Sequence, residues 1–389
     1  MKVLFAHDHR FFLKDNSIFS KVDFGVAMWK RYIDVFDNLV IAARIENHST
    51  IQDYSNMNQT KLSDNISIVQ LKSFSGIKNL ITNKKREYEK LEKSICTVDF
   101  VIARLPSEIG LSAIKIADKH KVPYLIELVG SPFDAYWYRG SLMAKVYAPI
   151  ISRRVKRAVN RSTHVIYVTE NYLQSKYPNR KKSISCSNIN VDINYEYEEL
   201  ASKANKFKSI KSADKIKIGL NGSLSSNYKG IDTAIETLSR LDDKYILHIL
   251  GAGSKDKWFE YARKCRVEKR VFFDGSLPSG EPVLEWLDDI DIYIQPSQTE
   301  GLPRALIEAM SRGCLCIGSN KGGIPELLPK GRMHNAGDSF KLKEMIEDIT
   351  NSVEEMLEIS RRNYNKSKEY SYEIINKRRS DFFKDFKES

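Results

Sequence analysis

The segment QPSQTEGLPRALIEAMSRGCLCIGSNKGGIPELL, residues 295–328, predicts a strand end, a polar turn, a helix and a second strand in that order. The apolar runs Ile292–Gln295 and Leu315–Gly318 flank the turn and the helix. Between them, apolar residues recur at helical spacing. These residues are Leu302, Ala305, Leu306, Ala309 and Met310. A strand, a helix and a strand in one short unit are typical of a parallel α/β sheet.

The same pattern extends outward over the whole chain. Ten short apolar runs, five in each half, barely alternate with polar residues, which is typical of parallel strands buried on both faces. The runs are Val3–Ala6, Leu39–Ala43, Phe100–Ala103, Tyr124–Leu128, Val165–Thr169, Ile216–Leu220, Tyr245–Leu250, Val271–Phe273, Ile292–Gln295 and Leu315–Gly318. Helical patterns separate them. We therefore predict an α/β fold of two doubly wound, Rossmann-like domains that face a cleft, with a ligand at the carboxyl ends of the strands.

The length agrees with two domains. At about 100–200 residues per domain, 389 residues predict two domains, with three as the alternative. We expect an N-terminal domain over 1–195, a C-terminal domain over 196–360, and a C-terminal helix over 361–389 that packs back on the N-terminal domain. The polar stretch Tyr195–Lys215 is interpreted as the linker. Three phenylalanines near the chain end, Phe382, Phe383 and Phe386, are interpreted as the anchor of the last helix.

Composition excludes several classes of protein. With 42% hydrophobic and 29% charged residues, the chain is an ordinary globular sequence and not an intrinsically disordered one. It has no run of about 18 apolar residues that would predict a transmembrane helix. The first ten residues, MKVLFAHDHR, lack the apolar stretch of a signal peptide. The five cysteines fit no zinc spacing and are interpreted as reduced core thiols of a cytoplasmic protein.

Positive charge is concentrated in one part of the chain. The net charge is +12, and the stretch Arg139–Lys182 holds eleven basic residues and one acidic residue, Glu170. Such a stretch favours an anionic partner, which is a lipid surface, a polyphosphate or a nucleic acid. The alternative is a helix face that is simply solvated.

The turn after Gln295 has the features of an anion site. Gly301 allows a ligand to approach the backbone, Pro303 suits the first turn of a helix, and a helix N-terminus attracts negative charge. If the helix starts near Leu302, Glu308 lies about 9 Å further along its axis. Carboxylates at Glu300 and Glu308 then suit opposite parts of an extended polar ligand. The alternatives are that Glu300 only complements the helix dipole and that Glu308 pairs with Arg304 on the surface.

A second polar loop follows the strand Ile216–Leu220. It reads NGSLSSNYKG over residues 221–230, and Lys229 stands at the start of the next helix. A small polar loop that leads to such a lysine is a plausible diphosphate site, although most turns of this kind are only turns.

These segments resemble glycosyltransferase family 4, whose members are retaining enzymes with the GT-B fold. Glu300 and Glu308 stand as the E-x7-E signature of that family, and residues 221–230 resemble its phosphate loop. Leu250-Gly251-Ala252-Gly253, Phe273-Asp274-Gly275 and Gly322-Gly323-Ile324-Pro325-Glu326 follow in the family's order and spacing. The resemblance covers Lys215 to Leu328. It implies that the C-terminal domain binds a nucleotide-diphosphate-sugar donor.

The resemblance also implies roles for individual residues. Glu300 would contact hydroxyls of the donor sugar, Glu308 the ribose hydroxyls, and Lys229 the diphosphate. The phosphate loop around Gly222 and Ser223 and the segment of Gly301, Leu302, Pro303 and Arg304 would complete the donor site. The family usually has Arg where Ser223 stands, so either Lys229 would carry more of the phosphate charge or Arg304 or a basic residue of the N-terminal domain would replace the missing contact.

The N-terminal domain is expected to select the acceptor. Arg104 is a candidate to bind an acceptor phosphate, Arg10 is a further acceptor-binding candidate that could approach the phosphates, and Asp134 is a candidate for the acceptor hydroxyl. The alternatives are a surface ion pair for Arg104 and a loop cap for Asp134. Residues 103–107 (ARLPS) and 129–134 (VGSPFD) are similar to bacterial capsule and exopolysaccharide members of the family. Glu300, Lys229 and Asp134 are the expected catalytic residues.

No metal or other cofactor is expected. His7 and His9 lack a third ligand, and Asp289-Ile290-Asp291 is interpreted as a turn or cap that only mimics the D-x-D of metal-dependent transferases.

The resulting hypothesis is a retaining glycosyltransferase. It would move a sugar from a UDP- or GDP-sugar to a saccharide acceptor that is lipid-linked, in the synthesis of capsule, lipopolysaccharide or a similar cell-surface polysaccharide. It would dock on the anionic inner face of the cytoplasmic membrane through Arg139–Lys182. The alternatives are a nucleotide-sugar epimerase of the same fold and a non-catalytic module that binds a nucleotide sugar or a nucleic acid. Nucleic acid is not expected as a partner, because basic residues are not interleaved with aromatics on a recognisable sheet and no zinc motif is present.

Overall fold

The structure, a computed structural model, describes residues 1–20, 24–46, 54, 57–72, 84–138, 140–189, 203, 206–208, 210 and 215–389. The chain divides into two compact units. The first comprises residues 1–135, 146–186 and 376–389, and the second comprises residues 136–145 and 187–375. Each unit contains its own sheet, and each is described separately below.

The first unit is built on a parallel sheet with the strand order β5-β3-β1-β6-β7-β8-β9, to which an antiparallel pair, β2 and β4, is added beside β1. The strands are β1 (Lys2–Lys14), β2 (Ser17–Ser20), β3 (Asn38–Glu46), β4 (Asn58–Lys61), β5 (Ile66–Leu71), β6 (Phe100–Leu105), β7 (Tyr124–Leu128), β8 (His164–Tyr167) and β9 (Lys182–Ser185). The helices in this part of the chain are α1 (Val26–Phe36), α2 (Lys84–Ile95), α3 (Glu108–His120), α4 (Pro132–Trp137), α5 (Leu142–Arg161) and α6 (Tyr172–Lys176).

The second unit contains a six-stranded, fully parallel sheet with the order β12-β11-β10-β13-β14-β15. Its strands are β10 (Ile216–Asn221), β11 (Tyr245–Leu250), β12 (Val271–Gly275), β13 (Ile292–Gln295), β14 (Leu315–Ser319) and β15 (Met333–His334). The helices that follow β10 in the chain are α7 (Ile231–Leu238), α8 (Asp256–Lys264), α9 (Glu281–Asp289), α10 (Arg304–Ser311), α11 (Ser339–Ile349), α12 (Val353–Lys368) and α13 (Tyr372–Glu388).

All ten apolar runs fall on parallel strands of the two sheets, with only Val168 and Thr169 beyond the end of β8, which confirms the doubly wound α/β prediction. Of the five strands that the apolar runs did not indicate, β2, β4, β9 and β15 have at most four residues, and the apolar residues of β5 (ISIVQL) are interrupted by Ser67 and Gln70. β9 reads KSIS and β4 reads NQTK, so neither carries the apolar signal of a buried central strand. β4 and β9 lie at the two ends of the strand order, and among the described strands each pairs with a neighbour on one side only.

The first strand is longer than predicted. The apolar run Val3–Ala6 covers only the start of this strand, because β1 continues to Lys14 with an irregular register against β3 between Ala6 and Arg10. Burial of Phe11 and Phe12 and the antiparallel pairing with β2 stabilise this extension.

The described residues of the predicted linker belong to the second unit. Phe207 and Ile210 are buried in its apolar core. The buried Lys203 donates from Nζ to the carbonyl oxygens of Leu287 and Ile290, at 3.2 and 2.7 Å. This part of the stretch is therefore core and not a solvated linker, while the predicted boundary at 195/196 lies outside the described residues.

The last helix contributes to the core of the first unit. In α13, Phe383 packs between Tyr32 and Phe36, with ring centroids 5.5 and 5.7 Å away, and Phe386 packs 5.3 Å from Phe100. Of the helices in the described ranges, none is long and apolar enough to cross a membrane.

Candidate functional site

Four loops of the second unit meet at the carboxyl ends of neighbouring strands. They follow β11, β10, β13 and β14, which are adjacent in the sheet. In parallel sheets this edge is where ligands bind. The two loops that carry the strongest motifs, residues 221–230 and 296–303, follow the two central strands β10 and β13.

Glycines allow these loops to touch through their backbones. Gly230 has a φ of +76°, and a Cβ there would overlap the carbonyl oxygen of Pro296 in the neighbouring loop. Gly322 has a φ of +61°, and its Cβ would overlap the carbonyl oxygen of Glu300. Only glycine fits both the left-handed backbone and the close approach. These two glycines therefore hold the Glu300 loop between its neighbours.

An ion pair joins the two central loops. The Nζ atom of Lys229 donates to Oε1 of Glu300 at 2.8 Å, and both side chains are largely buried. Burial lowers the pKa of Lys229, but the negative charge of Glu300 offsets this and leaves the pKa above its ordinary value. Lys229 is therefore a cation that the protein holds at the carboxyl end of β10.

Glu300 is oriented by a chain of hydrogen bonds from β13. Its Oε1 also accepts from Gln295 Nε2 at 3.0 Å and from Ser297 Oγ at 2.8 Å. The hydroxyl of Tyr293 in turn donates to Gln295 Oε1 at 3.0 Å. Oε1 thus has three donors, and the carboxylate is fixed by neighbours on its own strand and turn as well as by Lys229.

Glu308 lies on α10, whose N-terminus faces the same edge of the sheet. The helix begins at Arg304 with Pro303 as its N-cap residue, two residues later than predicted, so Glu308 is about 6 Å and not about 9 Å along the axis. Burial raises the pKa of Tyr293, and the charges of Glu308 and Glu300 add to that shift. The charges of both carboxylates therefore act on one buried tyrosine.

The loop after β10 is tied to the loop after β11. The backbone N–H of Leu224 donates to Ala252 O at 2.9 Å, and Ser223 Oγ donates to the same oxygen at 3.4 Å. Ser223 is exposed, whereas Gly222 is buried against the side chain of Lys229. A Cβ on Gly222 would press on that side chain, so this glycine leaves room for the lysine.

Known proteins are similar to this unit and to the rest of the chain. The family model described as "Glycosyl transferases group 1" matches residues 202–374. Protein CapJ of Staphylococcus aureus is 34% identical over 351 residues, which cover 89% of this chain and 85% of CapJ. The chain belongs to the group 1 glycosyl transferases.

Two further comparisons describe the neighbours of this transferase. The lipopolysaccharide 1,6-galactosyltransferase of Salmonella typhimurium is 34% identical over 95 residues, 24% of this chain and 26% of that protein. The crystal structure of Anabaena HepE in complex with UDP-glucose matches 99% of this chain and 100% of its own, with a TM-score of 0.68 and 15% identity. At that identity the likeness is one of fold, and the transferase has the GT-B fold.

The first unit of the transferase places Arg104 at the end of β6. Its guanidinium lies 5.3 Å from the ring centroid of Phe24, and Nη1 is 4.0 Å from Oε2 of the buried Glu127. The hydroxyl of Tyr32 donates to both oxygens of Glu127 at 3.0 and 3.1 Å. Arg104 is therefore held in a mostly buried setting and not in the surface ion pair that was the alternative.

The other two acceptor candidates of the transferase have internal partners. Arg10 is exposed on β1 and pairs with Glu46 at 3.0 Å. Asp134 is buried on α4, where its Oδ2 accepts from Tyr172 Oη at 2.5 Å and from Lys176 Nζ at 3.1 Å. Asp134 thus forms a charged network with α6 and does not act only as a loop cap.

Two histidines lie beside Arg104. The backbone N–H of His9 donates to His7 Nδ1 at 3.0 Å, and the ring of His9 stacks on Phe24 at 4.4 Å. Burial, with the charges of Arg104 and Arg44, lowers the pKa of His9 to about 4 and holds that of His7 well below its usual range. Both rings are therefore neutral near pH 7. In the described part of the chain, no three His, Cys, Asp or Glu residues are grouped to hold a metal.

The D-x-D sequence of the transferase has a structural role. Asp291 is buried, accepts from Lys217 N at 2.7 Å and pairs with Lys206 at 2.8 Å, while Asp289 pairs with Lys217 Nζ. These contacts join the amino-terminal ends of β13 and β10, which agrees with the interpretation as a cap.

Sequence reasoning missed the residues that orient Glu300. Gln295 and Ser297 are buried polar residues at the end of an apolar strand, and Tyr293 lies two residues before Gln295. Polar side chains in an otherwise apolar run were the available signal, since a buried polar group needs a partner. Their partner, the Glu300 carboxylate, is identified only by the fold of the turn.

Proposed function

We propose that this transferase moves a sugar from a UDP- or GDP-sugar to a saccharide acceptor and retains the anomeric configuration. The observation that carries the proposal is the Lys229–Glu300 pair between two glycine-held loops at the carboxyl ends of β10 and β13. The pair supplies a cation for a diphosphate and a fixed carboxylate for sugar hydroxyls. The UDP-glucose complex of HepE, a protein of the same fold, supports a nucleotide-sugar donor.

The donor would bind across these loops of the second unit. Lys229 would exchange its contact with Glu300 for the diphosphate, and the backbone N–H groups from Gly301 to Arg304 would add partial positive charge at the start of α10. Glu300, still held by Gln295 and Ser297, would accept from hydroxyls of the donor sugar. Glu308 would accept from the ribose. Gly222 and Ser223 would line the phosphate loop.

Charge stabilisation and orientation are the main catalytic contributions in this scheme. The acceptor hydroxyl would attack the anomeric carbon from the face that the diphosphate leaves, and a departing phosphate oxygen would take its proton. Lys229 and the α10 N-terminus would stabilise the negative charge that develops on the diphosphate. The scheme requires no metal ion and no covalent bond to the protein.

We assign acceptor binding to the first unit. Arg104 would meet an acceptor phosphate, Arg10 would assist, and Asp134 would contact the acceptor hydroxyl. The similarity to a lipopolysaccharide galactosyltransferase supports cell-surface polysaccharide, of capsule or lipopolysaccharide type, as the product. A lipid-linked acceptor and a peripheral position on the cytoplasmic face of the membrane accord with the basic stretch 139–182. Arg139 itself lies outside the described residues.

A ligand panel tests the donor site first. Thermal unfolding is measured with nucleotide diphosphates and nucleotide sugars, with and without EDTA, because a ligand that binds only the folded state raises the melting temperature. We expect a rise with UDP- or GDP-sugars that EDTA leaves unchanged. No rise with any of them would refute the proposed donor site.

The reaction is tested with the donor so identified. Incubation with a lipid-linked saccharide and NMR of the product should show one new glycosidic bond with the anomeric configuration of the donor. Epimerised donor without acceptor would instead identify an epimerase. A melting shift without turnover on any acceptor, or tight RNA binding in a gel shift, would indicate a binding module.

A further inference from the structure

The outward face of helix α5 has two halves, of which the first is apolar and the second is basic. Four apolar side chains in its first nine residues are exposed, Leu142 by 79%, Met143 by 66%, Val146 by 64% and Ile150 by 48%. They span about 12 Å of helix at 1.5 Å per residue. The opposite side of the helix is buried. The residues on that buried side are Ala144, Ala148, Ile151, Val155, Ala158 and Val159.

The second half of the outward face is basic. Arg153, Lys156, Arg157 and Arg161 are exposed in the last three turns, and Lys145 is exposed in the first half. The whole helix, LMAKVYAPIISRRVKRAVNR, contains no acidic residue. Since side chains three or four residues apart share a face of a helix, the row of Val146 and Ile150 continues along α5 into Arg153 and Arg157.

The apolar patch on α5 is unlike the other exposed apolar residues. Each of α1, α4, α8, α11 and α13 presents one large exposed apolar side chain, whereas α5 presents four. Single exposed apolar residues are ordinary, but a contiguous group rimmed by polar residues marks an interaction surface.

Hydrogen bonds fix the orientation of α5 on the protein. The carboxylate of Glu108 on α3 accepts from both terminal nitrogens of Arg154, at 2.7 and 3.0 Å, and from the hydroxyl of Tyr147 at 2.5 Å. Ser141 Oγ accepts from the backbone N–H of Ala144 at the start of the helix. These contacts fix which side of α5 faces outward.

We propose that the outward face of α5 lies on an anionic lipid surface, with its apolar half in the boundary between headgroups and acyl chains and its basic half on the headgroup phosphates. A basic amphipathic helix binds membranes in this way. This inference rests on the proposed function, because a lipid-linked acceptor requires the enzyme to reach a membrane. It assigns the docking to α5 alone and not to the whole stretch 139–182. Lys176 and Lys182 of that stretch pair with Asp134 and Asp385.

Charge favours a lipid surface over the other occupants. A second copy of the chain also carries a charge of +12 and would bring the same basic face. A nucleic acid would satisfy Arg153 and Arg157 but would leave the apolar half of the face in water. An anionic bilayer matches both halves.

The test is co-sedimentation of the full chain with vesicles of phosphatidylcholine alone and of phosphatidylcholine with phosphatidylglycerol. We expect binding only to the anionic vesicles. The double variant Leu142→Ser/Val146→Ser leaves the net charge unchanged, and its partition should fall by about tenfold or more, since each apolar group that leaves the lipid reduces binding several-fold. The matched control, Phe259→Ser/Ile374→Ser, removes exposed apolar groups from α8 and α13 and should bind like wild type.

The basic half is tested with Arg153→Gln/Arg157→Gln against Lys264→Gln/Lys269→Gln. Each pair removes two exposed positive charges, so general electrostatics predicts equal losses, whereas docking through α5 predicts a larger loss for the first pair. Equal losses would overturn the assignment.

Three other results would overturn the inference. They are no binding of wild type to anionic vesicles, wild-type binding by Leu142→Ser/Val146→Ser, and a wild-type dimer in sedimentation velocity that this variant abolishes. Thermal stabilisation by UDP- or GDP-sugars is measured in parallel on every variant. A wild type that is stabilised by the donor but does not dock refutes only the surface, whereas a wild type that docks without any donor binding refutes only the proposed function.

Discussion

Nζ of Lys229 lies 2.8 Å from Oε1 of Glu300, and this ion pair joins the loop after β10 to the turn after β13. The two residues are 71 positions apart in the sequence, and each neutralises the charge of the other in a largely buried position. An incoming diphosphate would compete for the same cation. The pair is therefore the contact that should respond most directly to donor binding.

Replacement of Lys229 tests whether the lysine stabilises the transition state. In Lys229→Ala, we expect kcat/KM to fall by about 10²–10³, the usual cost of one lost electrostatic donor to a developing charge, with a smaller loss in donor affinity. Steady-state kinetics and titration calorimetry with the donor measure the two quantities. Lys264→Ala, at the exposed end of α8, is the control. Equal losses in kcat/KM and affinity would show that Lys229 only binds the donor.

Ser297 tests the orientation of Glu300. In Ser297→Ala the carboxylate loses one of its three donors, so we expect kcat to fall about tenfold and stability to fall by about 1 kcal/mol. Ser367→Ala removes a buried hydroxyl that bonds Tyr364 O on α12, and should cost similar stability without changing kcat. If both variants retain full kcat, the hydrogen bond from Ser297 has no part in catalysis.

Gly322 tests the close approach of the loops. A Cβ at this position would overlap the carbonyl oxygen of Glu300, and the φ of +61° is unfavourable for alanine. We expect Gly322→Ala to lower stability by more than about 1 kcal/mol, or by about 2–4 °C in Tm for a unit of this size, and to weaken donor binding. Gly331→Ala, where nothing lies within 4 Å of the added carbon, should leave both unchanged. Equal Tm values for the two variants would contradict this account.

His9 makes stability depend on pH. Its folded pKa is about 4, below the ordinary value of 6.5, so the unfolded chain takes up the proton first as the pH falls. The stability that the neutral ring contributes is present above pH 6.5 and is lost between about 6.5 and 4, up to about 3 kcal/mol at 1.36 kcal/mol per pKa unit.

The variant His9→Phe keeps a ring beside Phe24 without the titration. We expect the Tm of this variant to fall less than that of the wild type between pH 7.5 and 4.5. This expectation holds whether or not the two proteins have the same Tm at pH 7.5. Other groups titrate in both proteins, so the difference between the two slopes isolates His9. Parallel curves would show that His9 does not titrate differently in the folded state.

Phe383 tests the return of the last helix. The side chain is fully buried and packs between Tyr32 and Phe36, so Phe383→Ala should cost about 3–5 kcal/mol in the free energy of unfolding. Ile374→Ala, on the same helix but 44% exposed, should cost much less. Denaturant unfolding followed by circular dichroism compares the two. A similar cost for both would mean that the end of α13 is not part of that core.

Much of the fold was readable from local patterns. Parallel strands buried on both faces appear as continuous apolar runs, and all ten runs were found in the two sheets. The spacing from Glu300 to Glu308 and the polar loop ending at Lys229 also pointed to one edge of one sheet, because consecutive parallel strands end on the same side.

The remaining features depend on contacts between distant residues. The extension of β1 through His7 and His9 relies on pairing with β2, and the core positions of Phe207 and Ile210 lie in a stretch of polar sequence. The partners of Asp134 come from α6, about 40 residues later in the chain. No local pattern carries such pairings, so the sequence could not predict them.

The division of the chain has a consequence for its synthesis. Residues 376–389 belong to the first unit together with residues 1–135 and 146–186. Domains generally fold as they leave the ribosome, N-terminal first. Here the unit whose strands are translated first cannot acquire Phe383 and Phe386 until the second unit has been translated. The unit begun first is thus completed last, and a nascent chain stalled anywhere before residue 376 would expose the apolar surface that these two side chains cover.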